Sequence, residues 1–259
     1  MAGSRNLRIF IATIATLVTS SSLVNAIDFY EIQIYSTETA PEHRLTLELH
    51  SNSVTSATGT EAKANLRPYE IHETLEATYG ITPHIEIGQY LCTAKLESGN
   101  YEYAGSRTKV HMGFGDPEEW PVALGVNLEL DYMRQAAEEN PLSFELRPIF
   151  EKRYRRLTLV INPVLDKSFN GPGTHDGVTL GPQGLVSYDL FPWMTPAVEY
   201  YSDLGPIESL PSVQNQQHFV VPAINLNLAE DLELNFGVGV GLTRASNGVF
   251  VKSIVGWTF

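Results

Sequence analysis

The chain has 259 residues, 43% of them hydrophobic and 18% charged, with a formal charge of −13. That acidity leaves little electrostatic reason to bind nucleic acid or an anionic lipid surface, and a single cysteine, Cys92, excludes a fold built on internal disulfides. Past the N-terminus, no run approaches the roughly 20 apolar residues of a membrane-spanning helix.

Residues 1–26 read as a signal peptide. Arg5 and Arg8 form its positive region, Ile9 to Thr19 its apolar region, and Val24-Asn25-Ala26 a small-residue cleavage site. Cleavage would lower the charge to about −15. Residues 27–42 follow as an N-terminal segment, periplasmic or lumenal, in which Tyr30 to Tyr35 alternates well enough to suggest an extra strand.

From residue 43 to 259 the period is two. Leu45, Leu47 and Leu49 alternate with Thr46, Glu48 and His50, and Ile85, Ile87 and Leu91 with Glu86, Gly88 and Tyr90. The pattern continues through Val122–Tyr132, Leu142–Glu151, Leu157–Asp166, Val178–Leu190 and Ile224–Leu228, and it is cleanest from Leu232 to Leu242. Weaker examples lie at 69–79, 101–114, 194–202 and 248–259. A helix would need three- and four-residue spacings, so this alternation predicts strands with one apolar face. The segments approach the roughly ten residues with which a tilted strand crosses a bilayer, against about five or six in a soluble sandwich. The prediction is an all-β, antiparallel transmembrane β-barrel of about twelve strands, with about 10 or 14 as alternatives.

Short links at 81–83, 115–119, 154–155, 192–193 and 229–231 alternate with longer ones at 55–68, 97–101, 133–141, 168–177, 203–217 and 243–248, as periplasmic turns alternate with extracellular loops. Trp120, Trp193 and Trp257 fall at the short-turn end, and Tyr101, Tyr103, Tyr132 and Phe250 near the other rim, as two aromatic girdles would. Pro148, Pro163, Pro182, Pro196 and Pro222 interrupt strand candidates, which predicts bulges or bends.

The terminal stretch Val251-Lys252-Ser253-Ile254-Val255-Gly256-Trp257-Thr258-Phe259 resembles the last strand of bacterial outer-membrane barrels, which the barrel-assembly machinery recognises by a terminal aromatic with alternating apolar residues; Trp257 and Phe259 would carry that signal. Three further segments, Gly171–Gly177, Glu199–Pro206 and Leu234–Thr243, resemble the meta-pathway phenol-degradation and transporter-like family of outer-membrane barrels. That resemblance implies a barrel moving small organic compounds and brings no catalytic motif.

Alternation places Glu48, His50, His72, Glu76, Glu86, Lys109, His111, Glu129, Asp131, Glu145, Arg147, Asp166, Glu199, Glu233 and Lys252 in the lumen as candidate selectivity residues. The surplus of acids favours cationic or neutral polar solutes. His50 and His72, with Glu48 and Glu76, are types that suit zinc or copper, but their spacing is no metal motif; hydrogen-bonded lumen histidines, no metal and no cofactor are expected. Gly171, Gly173, His175 and Asp176 sit in a Gly/Pro-rich loop that could fold over the mouth as a gate. The expected role is a non-enzymatic diffusion channel for small solutes, in contact with outer-membrane lipids and the assembly machinery, with no nucleic-acid partner. One alternative is a surface scaffold binding partners through loops 55–68 and 203–217. The other is a membrane-embedded hydrolase using His218 with Ser202 or Ser246, though no Gly-x-Ser-x-Gly elbow occurs.

Overall fold

The computed structural model describes residues 28–56, 71–95, 100–246 and 248–259. The signal-peptide residues 1–26 lie outside them, as do 57–68 and 97–99 of the expected connections. Twelve strands follow in chain order. The first six are β1 (Leu45–Ser56), β2 (Ile71–Thr82), β3 (Ile85–Lys95), β4 (Tyr101–Phe114), β5 (Ala123–Met133) and β6 (Leu142–Tyr154). The second six are β7 (Leu157–Ser168), β8 (Thr179–Tyr188), β9 (Met194–Asp203), β10 (Gln217–Ala229), β11 (Leu232–Gly241) and β12 (Val249–Thr258). Each pairs antiparallel with its sequence neighbours, and β1 pairs with β12 from Thr46↔Thr258 to Ser56↔Val249, so the sheet closes on itself.

The two faces follow from the period-two sequence. On β2, His72, Thr74, Glu76, Thr78 and Gly80 are buried inside, while Ile71, Leu75 and Tyr79 are exposed outside. Among the described residues no second sheet covers the outer face: Leu130 is 51%, Ile161 58% and Leu228 56% exposed, on strands spread around the wall. An apolar belt of that extent needs hydrocarbon rather than water against it, which makes this a transmembrane barrel. Trp120, Trp193 and Trp257 are exposed at the short-turn end, where Phe191 stacks on Trp193 and Trp257 on Phe259. Arg44 ties the closing seam at this end, donating to Asp231 Oδ1 (2.7 Å), Phe259 O (3.0 Å) and Thr258 O (3.1 Å).

Two expectations are corrected. Phe250 does not join the outer aromatic rim; it points inward, fully buried, and packs edge-on against Phe29 and Phe219. The strand prolines do not cause bulges. Register shifts within the strand ladders occur at Val54/Ser56, Gly80/Thr82, Cys92/Thr93 and Asn227/Ala229, none of them at the five strand prolines. Instead, rungs are missing. The β6–β7 ladder breaks after Leu146↔Leu165 and resumes at Phe150↔Ile161 in the same register, leaving Pro148 and Pro163 facing each other unpaired. Neither ring carries an N–H, so the bonds each would donate are lost. Between β8 and β9 only four positions pair, from Gly184↔Tyr200 to Ser187↔Ala197. Continued in register, that ladder would set Pro182 against Ser202 at one end and Tyr188 against Pro196 at the other. Beside the upper gap the Ser202 hydroxyl donates to the Pro182 carbonyl at 2.6 Å.

Candidate functional site

Residues 28–41 run down the inside of the barrel. The long-loop end of the segment is Asp28 and Phe29; Pro41 and Glu42 meet Gly80 near the β2–β3 turn. An irregular backbone inside a barrel must find hydrogen bonds from the wall, and side chains from five strands supply them. Asn52 of β1 donates to Phe29 O (2.8 Å), Lys252 of β12 to Ile32 O (3.0 Å) and Arg147 of β6 to Gln33 O (3.1 Å). Asn162 of β7 brackets Tyr35, accepting from its N–H (2.9 Å) and donating to its carbonyl (3.0 Å). Glu151 Oε2 accepts from the N–H and hydroxyl of Thr37 (2.7 and 2.8 Å), and Glu86 of β3 accepts from the Ala40 N–H. Gly80 and Gly113 are glycines for a steric reason: a Cβ there would fall on the Pro41 and Thr37 carbonyls.

The interior divides into two sides. Toward β9, β10 and β12 it is apolar, with Phe29 and Ile32 packed on Val54, Tyr201, Phe219, Val221 and Phe250. Toward β1–β6 it is ionic. Lys109 Nζ reaches Glu76 Oε1 (2.6 Å) and Glu86 Oε1 (3.2 Å), and His50 Nε2 lies 3.2 Å from Glu76 and 3.7 Å from Glu48. Arg147 bonds Glu145 at 2.7 Å, and Asn127 donates to Glu129. Arg107 gathers Asp28, Glu31 (3.4 Å) and Asp131 (3.5 Å). Tyr35 and Tyr90 both donate to Glu31. Charges removed from water cost several kcal/mol each unless compensated, which is why these carboxylates meet cations, hydroxyls or, at Glu129, a side-chain amide.

The structure therefore brings Glu48, His50, Glu76, Glu86 and Lys109 together, and Glu145, Arg147 and Glu129 together. Lys252 pairs with Glu199 at 2.6 Å on the apolar side. Asp166 sits opposite Glu145 in the β6–β7 ladder, and His111 stacks on the Tyr35 ring. His72 lies apart from His50, against the rings of Phe29 and Tyr30. Glu233 is exposed at the short-turn end. Sequence reasoning left out Arg107, Glu151 and the segment's own Glu31 and Tyr35. Arg107 shares inward parity with Lys109 and His111, so the alternation that placed those two in the lumen would have placed it there as well; the parity flip at Ala104 and Gly105 lies on its N-terminal side.

Gly171, Gly173, His175 and Asp176 lie in a loop built on a short 3-10 turn, Pro172–His175. Asn140 Oδ1 accepts from the Gly173 N–H (2.8 Å), and Lys167 Nζ donates to Thr174 O (2.9 Å) and Gly177 O (3.0 Å). At Gly171, φ is 86° and a Cβ would fall on the Glu139 carbonyl, so the loop is clasped to residues 139–140. No Ser–His pair forms at the outer rim among the described residues. The His218 ring nitrogens face Tyr200 OH (2.6 Å) and Gln216 Oε1 (3.1 Å), while Ser202 is spent on Pro182 O and Ser246 on the His218 backbone.

Comparison with known proteins places this geometry. A KdgM porin aligns with a TM-score of 0.58 at 7% identity, over 83% of this chain and 99% of its own. The COG4313 outer membrane channel from Pseudomonas putida F1 aligns with a TM-score of 0.61 at 12% identity, over 88% of this chain and all of its own (100%). The chain shares the barrel fold of these two outer-membrane proteins. No family model and no curated protein matches the sequence, so the resemblance to the phenol-degradation family stays with the three segments that suggested it. Of these, Gly171–Gly177 forms the clasped loop, Glu199–Pro206 leads from β9 into the next loop, and Leu234–Thr243 forms most of β11.

Proposed function

We propose that this protein is a passive outer-membrane channel for small organic or cationic solutes, resting closed with residues 28–41 seated in its lumen. The observation that carries this reading is the means of attachment. The segment is held to the wall by side-chain hydrogen bonds rather than by a strand ladder or a covalent link, so it can shift without unzipping the barrel. Beside it, acids outnumber bases: Glu48, Glu76, Glu86, Glu129, Asp131, Glu145, Asp166, Glu199 and Glu233 stand against Lys109, Arg147 and Lys252, with Arg107 added. Fixed carboxylates of that excess favour cations over anions in a narrow aqueous path, and the apolar side supports passage of organic solutes.

In this reading the short-turn end faces the periplasm and the outer belt meets membrane lipid. Residues 1–26 are the export signal, removed before assembly, and Trp257 and Phe259 present the barrel to the assembly machinery. The clasped loop of Gly171, Gly173, His175 and Asp176 gates the outer mouth. Reversal potentials in planar bilayers under a salt gradient test the central claim. Cation preference is expected, with sparse openings; anion preference, or a permanently wide open pore, refutes it.

A further inference from the structure

Three inward side chains of the β1–β2 pair converge near the short-turn end. Glu48 and Glu76 face each other directly across the ladder, and His50 follows Glu48 at the next inward position. One donor atom from each lies within 4.8 Å of the others, and His50 and Glu76 are fully buried. Ligand atoms of a tetrahedral zinc ion with bonds of about 2.0–2.1 Å are separated by about 3.3 Å. His50 Nε2 stands 3.2 Å from Glu76 Oε2 and 3.7 Å from Glu48 Oε2, close to that spacing.

The surroundings fit the same assignment. The second oxygen of Glu76 is held by Thr78 Oγ1 and Lys109 Nζ, both at 2.6 Å, which leaves Oε2 turned toward His50. Outer partners of this kind orient ligating carboxylates in metal sites. The Lys109 charge is met by Glu86 at 3.2 Å. With that pair set aside, two carboxylates and a neutral imidazole remain, a set of charge −2 that a divalent ion neutralises. Glu48 retains 22% exposure, giving a way in and a coordination position open to water.

We propose that Glu48, His50 and Glu76 form a three-ligand site for a divalent transition metal of the zinc class. The inference stands apart from the channel reading and survives if that reading fails. One nitrogen and two oxygens suit zinc better than magnesium, which demands octahedral oxygen and holds its waters.

The test is isothermal titration of the untagged, chelator-treated protein in detergent with Zn²⁺, and with Mg²⁺ in parallel. Each sample is first shown to be folded by its heat-dependent shift in electrophoretic mobility. One equivalent of zinc is expected to bind, magnesium is not, and the thermal midpoint should rise with zinc. Glu48→Gln, which keeps shape and sits at the accessible edge, should weaken zinc binding at least tenfold, as should His50→Ala. If His50→Ala does not fold, Glu48→Gln decides alone. No uptake by the native chain, or uptake undiminished in the folded Glu48→Gln variant, overturns the proposal.

Discussion

Replacing Gly113 by alanine probes the seating of the inner segment without touching a charged group. Gly113 faces inward on β4, and an added Cβ would clash with the Thr37 carbonyl oxygen, so the segment must move. The first bonds lost are those from the Thr37 N–H and hydroxyl to Glu151 Oε2, at 2.7 and 2.8 Å. Hydrogen bonds to a charged group contribute about 1.5–3 kcal/mol each, so losing both weakens seating by roughly 3–6 kcal/mol. At about 1.4 kcal/mol per factor of ten, the unseated population rises roughly 10²- to 10⁴-fold. The assay is single-channel recording of Gly113→Ala beside the native protein, with heat-dependent mobility confirming an intact barrel. Frequent, larger openings are expected. A folded Gly113→Ala channel with native conductance and open probability would refute the seating argument.

Other outcomes follow from the same geometry. Lys252→Met strands Glu199, which is 3% exposed, and should cost about 3–5 kcal/mol in denaturant titration. The double variant Lys252→Met/Glu199→Gln should regain most of that, and purely additive losses would count against a buried pair. Arg44→Ala removes a half-exposed clasp and should cost no more than about 1 kcal/mol through its ion pair, read as a small drop in thermal midpoint. Phe259→Ala should reduce the barrel recovered in outer membranes while leaving refolding in detergent intact, and unchanged recovery would discount the terminal signal. A fluorophosphonate reagent should label neither Ser202 nor Ser246, since neither hydroxyl meets the His218 ring; labelling abolished by His218→Ala would restore the hydrolase alternative.

The barrel was legible because period two is imposed at every residue by the pleat, so Leu232 to Leu242 reports its faces without any long-range information. Strand number and the alternation of short with long connections followed from the same pattern. The interior was less legible. Which lumen residues meet depends on register and on the inner segment: Arg107 shares the inward parity of Lys109 and His111, but its partners Asp28 and Glu31 come from outside the wall strands. The path of residues 28–41 left only faint marks, chiefly two glycines, because its contacts come from strands far along the chain. Glu48, His50 and Glu76 form no linear motif, since two strands supply them. The prolines were visible, but the bulges expected there do not form, because a missing donor deletes rungs and need not insert a residue.

The short ladder between β8 and β9 makes the cylinder mechanically uneven. Four strand positions pair where the β5–β6 ladder has ten, and backbone bonds resume only beyond the gap, between Leu180 and Leu204–Gly205; amide protons beside that gap should exchange before those of an opposite stave. A wall with one weak line is expected to part there first, which makes that stave the place where the cylinder departs from a uniform tube.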